Sequence, residues 1–141
     1  MTTGGPGDPG LSFEGHALAH RAAEELRPRC ATYVYSSPLR RAYETAEAIA
    51  RDLGLEVIVD GRLRERTNWG DVPGETFADF LERWEACDRR ECRARIHSFV
   101  TDVSERYPRA TIIAVAHGGI VADELGGHEH WPHCAITEFA A

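Results

Sequence analysis

Three observations predict an α/β fold built on parallel strands. Residues 31–59 read in succession as strand, helix and strand; Thr111-Ile112-Ile113-Ala114-Val115-Ala116 is the most continuous apolar run in the chain; and helical periodicity fills much of the sequence between. A short apolar run of that kind suits a strand buried on both faces, and strands alternating with helices select a sheet covered by helices. At 141 residues the chain is long enough for one core and short for two, so one domain is expected over residues 11–141.

The first ten residues carry four Gly and two Pro and almost no apolar content, which reads as a flexible lead-in. Ser12 is placed to cap a helix in which Leu18, Ala22 and Leu26 recur with helical spacing until Arg27-Pro28. Ala31-Thr32-Tyr33-Val34-Tyr35 is β-branched and aromatic, as strands are, and stops at Ser36-Ser37-Pro38, where Pro38 suits a first helical turn. Leu39, Ala42, Ala46, Ile49, Ala50 and Leu53 then carry a helix to Gly54, and Leu55-Glu56-Val57-Ile58-Val59 returns as a strand.

Residues 60–75 exceed the usual length of a connection and hold Gly, Arg and Asp, which predicts a functional loop. Thr76 with Asp79 resembles a capping arrangement, opening a helix with Phe77, Phe80, Leu81 and Trp84 on one stripe. Charged residues over 85–95 interrupt the stripe before Ile96, Phe99, Val100 and Val103 resume it, so two helices or one bent helix end at Tyr107-Pro108. The run 111–116 should be a central strand. Beyond His117-Gly118-Gly119, a short helix over 120–125 and a last strand over 135–139 are expected.

Sixteen basic residues, all Arg, against twenty-three acidic ones give a formal charge of −7, which disfavours nucleic acid and anionic membrane surfaces as partners while leaving small anions open. Biased coding composition accounts for the absence of Lys. No stretch is long and apolar enough to span a membrane and the start does not read as a signal peptide, so a cytoplasmic location is expected. Cys30, Cys87, Cys92 and Cys134 form no C-x-x-C pair and read as reduced thiols. His128-Glu129-His130-Trp131-Pro132-His133 has metal-ligating residue types but no rigid element to fix them, so a polar loop is the default and neither metal nor cofactor is expected. His16 and His20, four apart on a helix, read as surface or packed histidines.

Two candidate groups fall just past predicted strand ends, where parallel sheets place ligand sites and helix N-termini offer free N–H groups to anions. Arg41 sits in the helical turn after the first strand, and its planar fork suits phosphate oxygens. His117 follows the apolar strand, with Gly118-Gly119 permitting close backbone approach. Glu65 lies among Arg62, Arg64 and Arg66, either as a general acid or as their ion-pair partner. Each of the three, taken singly, reads more simply as structural.

Taken together they do not. Ser36-Ser37-Pro38-Leu39-Arg40-Arg41-Ala42-Tyr43-Glu44-Thr45-Ala46, the segment 63–70 containing Leu63-Arg64-Glu65, and Val115-Ala116-His117-Gly118-Gly119 resemble, in order and spacing, the histidine phosphatase superfamily, also called phosphoglycerate mutase-like. Leu11-Ser12-Phe13-Glu14-Gly15, Pro73-Gly74-Glu75 and Ala135-Ile136-Thr137-Glu138-Phe139 look like further landmarks, so the resemblance covers nearly all the chain after Asp8. It implies a three-layer α/β/α sandwich and a covalent phosphohistidine mechanism. In that mechanism Arg41 and His117 hold the phosphoryl oxygens, while Glu65 protonates the leaving oxygen and then activates water.

No Arg-His-Gly, the family's nucleophile motif, occurs in the sequence, and nothing before Leu11 reads as the family's first central strand. The expectation is therefore a sandwich lacking that strand, with phosphomonoester hydrolysis impaired; a non-catalytic phospho-ligand-binding module is the alternative, and a metal-binding role for residues 128–133 a third. A phosphorylated small molecule or phosphoprotein is the expected ligand, and an open sheet edge makes a homodimer a possible assembly. Shortened segments after Trp69-Gly70-Asp71 and over 89–95 and 126–131 imply reduced capping of substrate, favouring phosphatase over mutase chemistry.

Overall fold

A computed structural model describes residues 10–64, 73–86 and 89–117. The elements run α1 (Phe13–Leu26), a 3₁₀ turn (Arg27–Arg29), β1 (Tyr33–Ser36), α2 (Arg40–Leu53), β2 (Val57–Val59), a second 3₁₀ turn (Gly61–Leu63), α3 (Phe77–Ala86), α4 (Arg89–Arg106) and β3 (Ile112–Val115). The three strands are parallel in the order β2-β1-β3, with Val34 opposite Val57 on one side and Ile113 on the other.

Ser12 caps α1 as predicted, its Oγ accepting the Gly15 N–H at 3.1 Å. Gly54 ends α2 in the left-handed region at φ 72°, where a residue without Cβ carries no steric penalty. Thr76 and Asp79 form the expected reciprocal cap: Asp79 accepts the Thr76 N–H and Thr76 accepts the Asp79 N–H, both at 3.2 Å. Helical residues are described up to Ala86 and again from Arg89, and the second stretch buries Ile96, Phe99 and Val103.

Strand alternation sends side chains to two cores, one on each face of the sheet. Val34 and Ile113 pack on one face with Ala19, Ala22 and Ala23 of α1 and Ala46, Ile49 and Ala50 of α2. The small side chains let those helices approach each other and the sheet closely. Tyr35 points to the opposite face and meets Leu63 with Ile96, Phe99 and Val103 of α4. Helices on both faces of a sheet make the three-layer α/β/α arrangement that the resemblance implied.

Some details differ from the sequence reading. Pro38 lies before α2, whose N-cap is Leu39, rather than in its first turn. The cause is local: Ser37 Oγ accepts the Leu39 N–H at 3.2 Å and holds residues 37–39 in an extended turn. Among the described residues β1, not β3, occupies the middle of the sheet, because β1 has ladder partners on both sides while Ala114 of β3 is exposed. Phe77 and Leu81 of α3 are likewise exposed rather than buried on a stripe. The helix expected over 120–125 and the strand over 135–139 fall outside the described residues, as do the lead-in over 1–9 and the loop over 65–72.

Candidate phosphate-binding site

The parallel register sets Ser36 opposite Val115, so the chain segments leaving β1 and β3 emerge side by side at one end of the sheet. Two hydrogen bonds extend the ladder past the strands: Ser37 N–H donates to the Val115 carbonyl at 3.0 Å, and Asp60 N–H donates to the Ser36 carbonyl at 2.9 Å. Three loops are thereby gathered there, one leading into α2, one leading into the second 3₁₀ turn, and one carrying His117.

His117 is 7% exposed, and its Nε2 lies 2.8 Å from Ser37 Oγ. Burial pushes its pKa down, and the positive charges of Arg41, Arg64 and Arg95 push it the same way, to about 3. The ring is therefore neutral near pH 7. Each of those three guanidinium groups comes from a different element: Arg41 from the second position of α2, Arg64 from the residue closing the second 3₁₀ turn, and Arg95 from α4.

Further contacts set the positions of Arg64 and Arg95. Arg95 Nη1 donates to the Arg64 carbonyl at 3.3 Å and the Gly61 carbonyl at 3.5 Å. Arg62 forks onto Asp60, with Nη2 to Oδ2 at 2.7 Å and Nε to Oδ1 at 3.0 Å, and also reaches Asp102 Oδ2 at 2.9 Å and Ser98 Oγ at 3.2 Å. Its guanidinium carbon stands 5.5 Å from the centre of the Phe99 ring. The Arg62 fork holds the Asp60 carboxyl below its ordinary range. Arg62 thus belongs to the scaffold, joining the turn to α4 and fixing where Arg64 begins.

The N-terminus of α2 adds to the positive field. No side chain caps it, so the first-turn N–H groups and the positive end of the helix dipole face the same end of the sheet as His117. A buried neutral imidazole among three guanidinium groups and an uncapped helix terminus has the chemistry of an anion site, with planar donors matched to phosphate oxygens.

The structure thus brings Arg41 and His117 together, while Glu65, Gly118 and Gly119 lie outside the described residues. Ser37, Arg64 and Arg95 were not singled out from sequence. Arg95 lies four residues before Phe99, on the same helical face as the buried stripe, and that spacing was the available signal. The histidine-rich segment 128–133 and the side chains of Cys87, Cys92 and Cys134 are likewise outside the description, whereas Cys30 is an exposed free thiol. Among the described residues no group of His, Cys, Asp and Glu could hold a metal ion, and no helix is long and apolar enough to cross a membrane. His20, on α1, pairs with Asp52 of α2, away from the strand ends.

The family model described as the histidine phosphatase superfamily (branch 1) matches residues 1–132. A putative phosphoserine phosphatase 2 of Hydrogenobacter thermophilus is 33% identical over an alignment covering 79% of this chain and 63% of that protein. A glucosyl-3-phosphoglycerate phosphatase of Mycobacterium tuberculosis is 34% identical, with coverage of 82% and 62%. The chain thus spans a little over three-fifths of the length of these curated relatives. Among solved structures, a mycobacterial glucosyl-3-phosphoglycerate phosphatase in complex with inorganic phosphate superposes with a TM-score of 0.70 at 32% identity, covering 87% of this chain and 72% of that one. The YhfR protein of Bacillus stearothermophilus, at 21% identity and a TM-score of 0.67, shares the fold. With the family model matching residues 1–132 and relatives of 33% and 34% identity aligned over about four-fifths of it, the chain belongs to the histidine phosphatase superfamily.

Proposed function

We propose that the end of the sheet formed by Ser37, Arg41 and His117 binds the phosphoryl group of a phosphomonoester and that the protein acts in its hydrolysis. The carrying observation is the burial of His117 beside Ser37 within the field of Arg41, Arg64 and Arg95. The positive charges of Arg41, Arg64 and Arg95 around the buried imidazole stabilise the charge that spreads over phosphoryl oxygens in the transition state. In the reaction the bond from phosphorus to the leaving oxygen breaks, Glu65 gives that oxygen a proton, and water, deprotonated by the same carboxylate, supplies the oxygen that ends on inorganic phosphate. Two of the relatives are named for phosphoserine and glucosyl-3-phosphoglycerate, which makes phosphorylated small molecules the first class to test.

A second reading is phospho-ligand binding without turnover. One experiment separates the two. Phosphate release from a panel of phosphomonoesters, with loss in His117→Gln and Arg41→Ala, supports hydrolysis. Binding of inorganic phosphate that weakens in Arg41→Ala, with no release from any ester, supports the binding module. Neither release nor binding overturns both.

A further inference from the structure

Ser37 is completely buried, and its hydroxyl oxygen has two neighbours. It accepts the Leu39 N–H at 3.2 Å, and it lies 2.8 Å from His117 Nε2. A buried hydroxyl needs an acceptor for its own hydrogen, since leaving it unmade forfeits a hydrogen bond that water would have supplied. Among the described residues His117 Nε2 is the one acceptor within reach of Ser37 Oγ. The backbone on which Ser37 sits is fixed as well: its N–H donates to Val115, and its carbonyl accepts the Ser36 hydroxyl at 2.7 Å.

From this arrangement we infer that Ser37 is a positioning residue, whose hydroxyl donates to His117 Nε2 and so fixes the ring as the Nδ1–H tautomer, leaving Nδ1–H as the donor presented to a phosphoryl oxygen. The inference rests on the phosphate reading for its function, and on geometry alone for its tautomer. Nδ1–H has no acceptor among the described residues, although the ring is buried. A fixed, buried donor with no acceptor among the described residues is one that an anion can complete. A neutral imidazole has one donor and one acceptor nitrogen, so fixing one nitrogen's role fixes the other's. Ser37 also ties the two phosphate-binding groups together mechanically. The oxygen that orients His117 is the one that holds the Leu39 amide immediately before α2, and Arg41 follows two residues later.

The test is nitrogen NMR on the full chain labelled with ¹⁵N-histidine, reading the protonation of each His117 nitrogen, with inorganic phosphate as the titrant. Wild type should show a protonated Nδ1 and a bare Nε2, and phosphate should shift the Nδ1–H signal. In Ser37→Ala, Nε2–H should appear in a mixture of tautomers, and phosphate affinity should fall about tenfold or more. Ser12→Ala removes a hydroxyl that caps α1 and touches neither Ser37 nor His117, and it should keep the wild-type pattern. A wild-type ring protonated at Nε2 overturns the inference, even where Ser37→Ala does not fold. An unchanged tautomer in Ser37→Ala also overturns it. His117 signals that ignore phosphate in wild type overturn the phosphate reading instead, and that result is distinguishable because the tautomer is read before any phosphate is added.

Discussion

Arg62 Nη2 lies 2.9 Å from Asp102 Oδ2, joining the 3₁₀ turn after β2 to a helix forty residues further along the chain. The same guanidinium is forked onto Asp60 and faces Phe99, so it acts as a clamp between the turn that ends at Arg64 and the helix that carries Arg95. Loss of the clamp should loosen one side of the anion site without touching the other.

Arg62→Ala is expected to destabilise the protein by about 1–2 kcal/mol, through lost charge-assisted bonds and lost packing on Phe99. Asp102→Asn should cost under about 1 kcal/mol, because that carboxylate is partly exposed and its attraction is screened. Urea unfolding measures both. The ranking fails if Asp102→Asn costs more than Arg62→Ala. Inorganic phosphate should bind more weakly to Arg62→Ala than to wild type in calorimetry, since Arg64 starts where the clamp ends.

The cap at the end of α2 gives a prediction of another kind. Gly54 sits at φ 72°, and a Cβ built there meets nothing within 4 Å. The cost of Gly54→Ala is therefore backbone strain alone, about 1–2 kcal/mol, with Gly54→Asn costing less because Asn tolerates the left-handed region. Thermal unfolding of the two variants decides it, and equal losses would point to a lost contact rather than to strain.

Much of this architecture was legible because it is local. Ser12, Gly54 and the pair Thr76 with Asp79 are caps whose partners lie within a few residues, so spacing alone exposes them. Arg41 and His117 were legible because their segments carry specific motifs. Ser37, Arg64 and Arg95 were not, because their convergence depends on the parallel register of β1 with β3 and on the rotation of α4, neither of which is written in any short window. Pro38 was misplaced for a related reason. Its φ suits a helix start, but the side chain of Ser37 captures the Leu39 amide and delays the helix by two residues.

Ser12 offers a smaller check on the local reading. Its Oγ satisfies one of the orphan N–H groups at the start of α1, so Ser12→Ala should cost about 1 kcal/mol and Ser12→Asp should restore most of it. A loss in both variants, read by urea unfolding, would show that the hydroxyl has some role other than capping.

His117 makes the stability of the fold depend on pH. In the unfolded chain this histidine titrates near the ordinary value of 6.5, whereas in the folded protein burial and three arginines hold it down to about 3. Above pH 6.5 both states are neutral at this group and its contribution is complete. Between 6.5 and 3 the unfolded state binds a proton that the folded state refuses, so stability falls as pH falls, with a limiting slope of about 1.4 kcal/mol per pH unit. His117→Gln removes the group, and its unfolding free energy should fall less steeply between pH 6.5 and 4.5 than that of wild type, whatever the remaining carboxylates do in both. Inorganic phosphate reverses the local field, because an anion beside the imidazole favours its protonated form. Saturating phosphate should therefore flatten the wild-type slope and leave that of His117→Gln nearly unchanged. Parallel slopes for the two proteins without phosphate would mean that His117 is not held neutral by its surroundings, and the electrostatic account of the site would fall with that result.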